Sequence, residues 1–371
     1  MTADRWWPEE KAIARAAEVA AEHADGDTTA SIGLDTAEAL TAAGFPRCFT
    51  PARWGGVDAS FAQVTAAVGA VGEASAPAAW IASLLAYNGR FAAYLPAAAQ
   101  QEVWANGPDV RLASSMVATG VTAEPIAGGW TLAGRWQYVS GVEFADWALL
   151  SSAPPREGDR SILVFAVPRP SFTYEATWSA IGMNATGSHT VVVAPAFVPA
   201  HRAFVWDDMR RGVTGGPATT AQSAPLFAVN GLTFAAPILG AARGALTLAE
   251  RHLAVAPSGA RSVARESHRV AFTRAAGEID AAELLLSRVA ATADAGPPAA
   301  GLAERSHRDS TLAVRMLVTA VDRLFEVTGT RGQATSHGMQ RIWRDVHAAA
   351  SHAALQFEPA ALAFTRHLVA P

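Results

Sequence analysis

Cysteine is almost absent: Cys48 is the single one in 371 residues. One thiol excludes an internal disulfide and any multi-cysteine metal site, and it fits a reducing compartment. Charge is scarce as well, at 17% of residues with a formal net charge of −4. That balance leaves no electrostatic footprint for nucleic acid or an anionic membrane. The opening MTADRWWPEEKAIARAAEVAAEHADGD is a charged, amphipathic helical pattern without an apolar signal core, so a cytoplasmic protein is expected. No charged residue occurs from Gly212 to Ala242, yet Thr, Ser, Gln, Asn, Gly and Pro interrupt the stretch. Its apolar runs fall well short of the ~20 residues a membrane span needs. A helix buried in a large core or an oligomer interface is predicted instead.

The familiar chemical signatures are missing too. No GxGxxG opens a helix after a strand, and no Walker-type GK[ST] occurs. No HExxH, HxxxH or clustered carboxylate–histidine set points to a metal. There is no G-x-S-x-G elbow, and Ser306, His307 and Asp309 lie too close along one helix to face one another as a triad.

What remains is abundant apolar material, half of the chain, in a length suited to two or three domains sharing a core. Three regions differ in periodicity. Residues 1–110 read as helices, including LDTAEALTAAG with a C-cap-type glycine and PAAWIASLLAYNGRFAAYL. Residues 111–220 read as an antiparallel β module: VTAEPIAGGWTLAGRWQYVSG is a hairpin turning at Gly128-Gly129, and SILVFAVP and SHTVVVAPAFVP are bounded by Pro and Gly. Residues 221–371 return to helix and form a four-helix set. Helices, then strands, then a bundle is an α+β arrangement.

Candidate chemistry clusters in four places. Trp136, Tyr138, Ser140 and Gly141 put aromatic ring, hydroxyl and bare backbone together at a strand end, as a flat heteroaromatic ligand requires. An ordinary turn with core-facing Trp and Tyr has the same composition. Ser114 and Ser115 are either ligand-facing hydroxyls or buried ones satisfied by neighbouring backbone. Arg261, Arg265 and Arg269 recur at i, i+4 and i+8, which is either an anion site or a solvated face, and Thr330 and Arg331 sit between two glycines in GTRGQ. His347 and His352 lie in QRIWRDVHAAASHAAL, where a helical histidine beside Arg and Asp is ordinarily a structural hydrogen-bonder.

Together these stretches resemble a family. GGWTLAGRWQYVSGVEFADWALL is similar to the β-domain signature of the acyl-CoA dehydrogenase superfamily, and most similar to flavin-dependent two-component monooxygenases of the para-hydroxyphenylacetate hydroxylase type. FTPARWGGVDASFAQVTAAVGAVGEASAPAAWIASLL resembles the family's N-terminal helices, GMNATGSHTVVVAPAFVPAHRAF its β-domain exit, and LFEVTGTRGQATSHGMQRIWRDVHAAASHAAL its C-terminal signature. The resemblance covers nearly the whole chain. It implies an N-terminal helical domain, a central antiparallel β-barrel-like domain and a C-terminal four-helix bundle, assembled as a homotetramer. It also implies reduced flavin, FMN or FAD, delivered by a separate reductase to a site between β domain and bundle. There reaction with O2 gives a C4a-hydroperoxide that oxidises a small organic substrate.

Carried onto this chain, the resemblance gives Ser140 the flavin's reactive edge, Trp136 and Tyr138 its flanks, Ser114 and Ser115 the other side of the ring, and Arg261 and Arg331 its phosphates. His352 becomes the catalytic histidine, able to deprotonate substrate, with His347 behind it. Helical geometry puts Arg341, Asp345 and His352 within about 40° of one another, with Ala348 and Ala349 as a floor. Two departures matter. Ser336 and His337 stand where the dehydrogenases carry a catalytic glutamate, which argues against the alternative of an acyl-CoA or acyl-carrier dehydrogenase. Tyr87 and Asn88 stand where several monooxygenases have a substrate-facing histidine; they are the substrate-binding candidates. They point away from a simple phenol and toward an amine, an amino sugar or a biosynthetic intermediate, and they keep open a redox-silent ligand-binding or cyclising member of the fold.

Overall fold

Five helices begin the chain: α1 (Glu10–Ala24), α2 (Leu34–Ala42), α3 (Phe61–Ala74), α4 (Ala76–Ala92) and α5 (Ala97–Val103). The computed structural model describes residues 9–24, 30–154, 156, 158–216, 218–255, 262–296 and 302–369. A single residue, Ser75, separates α3 from α4. Its extended backbone (φ −153°, ψ 112°) ends one helix, and its hydroxyl accepts from the Ala78 amide to cap the next. Pro77 in the first turn of α4 cannot continue α3, so the chain turns a sharp corner.

Eight strands follow: β1 (Leu112–Ser115), β2 (Ala118–Ile126), β3 (Gly129–Val139), β4 (Trp147–Ser151), β5 (Leu163–Pro168), β6 (Thr173–Glu175), β7 (His189–Pro199) and β8 (Ala203–Val205). They make two four-stranded sheets, ordered β1-β4-β5-β8 and β2-β3-β7-β6. The pairings are antiparallel except β1 with β4, which run parallel, a departure from the all-antiparallel expectation. The β2–β3 hairpin turns on Ala127-Gly128, with Ile126 opposite Gly129, one residue earlier than expected. Leu132, Trp136, Leu150, Phe165 and Val191 fill the space between the sheets.

Seven helices complete the fold: α6 (Trp206–Arg211), α7 (Thr220–Ser223), α8 (Leu226–Val255), α9 (Ser262–Asp294), α10 (Ala303–Gly332), α11 (Gly338–Ala350) and α12 (Phe357–Val369). The uncharged segment becomes α8, and 72% of its most apolar window is buried inside the protein. α3, α4, α9, α10 and α11 all pack on it. One apolar core therefore runs from Ile13 in α1 to Leu355 beyond α11, uniting the N-terminal helices with the bundle.

Two local features fix where α3 and α4 meet α8. α3 crosses α8 through glycines: a Cβ on Gly72 would lie 2.9 Å from the Pro237 carbonyl oxygen, and one on Gly240 would lie 2.2 Å from the Gly69 carbonyl oxygen. Any larger residue forces the helices apart. Next, Pro237 inside α8 has no amide hydrogen for the Thr233 carbonyl one turn earlier. Ser83 of α4 supplies the missing donor, its hydroxyl lying 2.6 Å from that carbonyl. Further along α4, the buried Arg90 donates to the Ala221 and Ala224 carbonyls and the Tyr94 hydroxyl donates to that of Gln222, which ties α4 to the chain leaving the β region.

Ser83→Ala should leave the buried Thr233 carbonyl without a donor and cost about 1–3 kcal/mol in chemical denaturation. Pro237→Ala restores the intrahelical amide, so the double variant is expected to lose less than the sum of the two single changes; strict additivity would contradict the coupling.

Candidate active site

Three aromatic rings from three elements meet beside the Ser83 contact. Trp80 on α4 lies 4.9 Å from Phe234 on α8, and the His352 imidazole stacks on Phe234 at 3.8 Å with its ring 5.6 Å from Trp80. His352 is not on the helical stripe predicted for it. α11 stops at Ala350, where the Ser351 hydroxyl bonds the Ala348 carbonyl and the Gln356 amide donates to the carbonyls of Ala350 and His352. These side chains satisfy the terminal carbonyls and overrule the helical propensity of the alanine run. His352 then caps a short 3-10 turn, its Nδ1 accepting from the Ala354 amide at 3.2 Å. Ala349 is buried in the core rather than forming a floor, while Arg341 and Asp345 line a second cleft with Ala76, Pro77 and Asn184. Asp345 also accepts from the Met183 amide at 2.5 Å.

The cap decides what His352 can do. With Nδ1 accepting, the neutral ring carries its hydrogen on Nε2. Burial against the two aromatic rings pushes the imidazole pKa down to about 4. At neutral pH this side chain is an uncharged hydrogen-bond donor.

Ser140 sits just past β3 and accepts from Trp80 Nε1 at 3.3 Å, so Trp80 touches both candidates. The strand end is irregular: the β3–β7 register shifts between Trp136 and Val139, and Tyr138 has φ +59°. Without that bulge Trp136 and Tyr138 would share a face. With it they part. Trp136 is fully buried between the sheets with its indole donating to the Ser151 carbonyl, and so does not flank the cleft as expected. Tyr138 turns outward, 59% exposed, edge-on to Trp178 at 6.1 Å. A tyrosine held in the left-handed region costs on the order of 1 kcal/mol, which persists where function requires it. Ser140 and Gly141 line a cleft with Ile81, Leu84, Leu112 and Phe144. The cleft is open to solvent on one side.

Several other candidates have structural occupations. Tyr87 is buried among Phe49 and Phe61, where burial pushes its phenol far above the usual range, and it does not face the cleft. Asn88 is buried too, donating to the Leu112 carbonyl at 2.7 Å and accepting from Ser114 at 2.8 Å, so it orients Ser114 instead of meeting a ligand directly. Ser115 donates to the Gln137 carbonyl and accepts from the Val117 amide, the bland alternative for a buried strand hydroxyl. His347 bonds Asp322 at 2.9 Å, beside Trp343, which shares the same carboxylate. It faces α10, not the cleft. Arg261 lies outside the described residues. Arg331 is exposed just after Gly329 interrupts α10, near His252, His268 and His337. Burial, then the Arg331 guanidinium, hold His252 below its usual range.

Trp80, Phe234, Trp178, Thr186 and Ser188 join the site without belonging to any of the four candidate clusters in the sequence. Trp80 and Phe234 fall in largely apolar stretches of α4 and α8, where one aromatic residue carries no periodic mark.

Relatives match this chain along most of their length. A flavin-dependent monooxygenase, oxygenase subunit HsaA of Rhodococcus jostii, is 31% identical over 335 residues, covering 86% of this chain and 87% of the relative. The oxygenase component of an FADH(2)-dependent resorcinol hydroxylase from a Rhizobium species is 32% identical, covering 86% and 83%. The chain belongs to the flavin-dependent two-component monooxygenases. The structure of XiaF from a Streptomyces species, in complex with FADH2 and glycerol, superimposes with a TM-score of 0.86 at 26% identity over 97% of this chain and 96% of that one. The model for the acyl-CoA dehydrogenase C-terminal domain matches residues 232–357, which contain Phe234 and His352. Where the resemblance leads one to expect a dehydrogenase base there is no carboxylate: Ser336 is exposed and His337 caps α11 through the Met339 amide.

The depressed His352 pKa gives a stability signature. Below about pH 6.5 the unfolded chain binds a proton that the folded imidazole refuses until about pH 4, so stability falls as pH drops through that window. Between pH 7 and 5 this contributes up to roughly 2 kcal/mol. His352→Gln should remove that share of the pH dependence in urea denaturation.

Proposed function

We propose that this chain hydroxylates a planar aromatic substrate carrying a hydroxyl on its ring, using reduced flavin received from a separate reductase. One atom of O2 enters the substrate, the other leaves as water, and the flavin is released oxidised. The stacking of His352 on Phe234 beside Trp80 carries this reading: it offers a flat apolar wall with one directed donor, Nε2–H. Relatives named for resorcinol, p-hydroxyphenylacetate and indole-3-acetate support an aromatic substrate.

The cleft residues suit a flavin. Beside the cleft Tyr138 offers exposed ring surface, edge-on to the half-buried Trp178; in the cleft Ser140 offers a hydroxyl, and at Gly141 a Cβ would meet Ile81 at 3.2 Å, so glycine keeps the backbone accessible. When bound, reduced flavin supplies the two electrons that activate O2. Ser140 borders its reactive edge, and the exposed Arg331 provides cationic surface for its phosphate. Ser114, oriented by Asn88, faces substrate with its lone pairs.

His352 binds and orients the substrate oxygen rather than removing its proton. A phenol titrates near 10 and the imidazole at about 4, so transfer between them would be uphill by roughly 8 kcal/mol. Donation from Nε2 needs no such transfer, and it lowers the phenol's own pKa by favouring the anion. The chain further assembles as a homotetramer, for which α12 offers exposed Leu362, Leu368 and Val369 and α9 offers Leu284.

His352→Ala is expected to lower kcat/KM for hydroxylation roughly 10–100-fold, as loss of one donor to a charged or developing oxyanion does. The wild-type kcat/KM profile should show no imidazole ionisation between pH 6 and 8, and an acidic limb near 6.5, with rate lost as pH falls, that vanishes in His352→Ala would overturn the donor role. Light scattering that finds a monomer at micromolar concentration would refute the tetramer.

A further inference from the structure

Behind Ser140 runs a chain of hydroxyls. Ser140 Oγ lies 2.7 Å from Ser188 Oγ, Ser188 Oγ lies 2.7 Å from Thr186 Oγ1, and Thr186 Oγ1 donates to the Met183 carbonyl at 2.8 Å. Thr186 and Ser188 are buried, at 3% and 7% exposure, so water does not supply alternative partners freely. The far end is a carbonyl, which has no hydrogen to give; it also accepts from Trp178 Nε1. The near end is an indole N–H, which has no lone pair to offer.

These two ends fix the direction of every hydrogen between them. Thr186 gives its only hydroxyl hydrogen to Met183, so Ser188 must donate to Thr186. Ser188 then has none left, so Ser140 must donate to Ser188. Running the chain the other way would leave Thr186 Oγ1 and the Met183 oxygen 2.8 Å apart with no hydrogen between them. Ser140, already accepting from Trp80, therefore turns its remaining lone pair to the cleft.

We propose that Ser188 and Thr186 are positioning residues that hold Ser140 as an obligate acceptor, which selects reduced over oxidised flavin. Reduced flavin carries a hydrogen on N5 that Ser140 can accept. Oxidised flavin has a bare N5 lone pair, which would oppose the lone pair of Ser140. This rests on the reading that Ser140 borders the flavin's reactive edge. Backbone strain supports a functional purpose: Met183, the anchor, holds φ +56°, and Asp345 pins its amide.

The test is an anaerobic fluorescence titration of the full-length protein with FMN and FAD, each oxidised and reduced, reading the ratio of the two dissociation constants. Ser188→Ala releases the Ser140 hydrogen to turn toward N5, and Thr186→Val lets Ser188 reverse toward Ser140 with the same effect. Both should cut the preference for reduced flavin about tenfold, with oxidised flavin binding more tightly than to wild type. Thr186→Ser keeps the chain and should keep the ratio. An unchanged ratio in both variants, with Ser140→Ala still altering flavin affinity, overturns the relay alone. If Ser140→Ala alters neither affinity, or wild type binds no flavin, the flavin reading of the cleft falls and the relay with it.

Discussion

The arrangement depends on one carbonyl. Pro237 deprives Thr233 of its intrahelical partner, and Ser83 answers from the neighbouring helix. The bond ties α4 to α8 at the level where Trp80 and Phe234 form the aromatic wall, while the glycine crossing of α3 and α8 sets how closely the helices approach. A proline inside a long helix is ordinarily a defect. Here the defect creates a demand that only the adjacent helix satisfies, and it registers two elements distant in sequence.

A second theme is that the backbone assigns hydrogen positions to side chains that could hold them otherwise. The Ala354 amide takes His352 Nδ1 and leaves Nε2 as the donor. The Met183 carbonyl takes the Thr186 hydrogen and sets the sense of three hydroxyls. Side chains alone would leave both groups ambiguous, since imidazole and hydroxyl each donate and accept. Fixed backbone groups remove the ambiguity without adding charge, in a cleft whose one charged lining residue is Arg111.

The fold was legible because it is written in periodicity: the change from helical to alternating pattern, the Gly-containing hairpin and the uncharged core helix α8 all leave marks in sequence. The site was less so. Trp136 and Tyr138 are two residues apart, which in a regular strand means one face, and nothing in the letters RWQYVSG announces the bulge that separates them. His352 follows an alanine run that reads as helix, and the side chain ending that helix is Gln356, beyond it. Asn88 and Tyr87 were noticed as substitutions at an interesting position, yet burial commits them to the scaffold. Tertiary partners, not spacing, assigned those roles.

The shared core has a bearing on the order in which the molecule forms. α3 and α4 leave the ribosome more than a hundred residues ahead of α8, the helix that covers their apolar faces. Until α8 arrives, the Thr233 carbonyl that Ser83 will hold does not exist, and the glycine seam has only one side. The strands between them have their own filled interior and can close first. The N-terminal helices are thus first to be made and among the last to be secured, so the aromatic wall of the site is completed only when both ends of the chain have met.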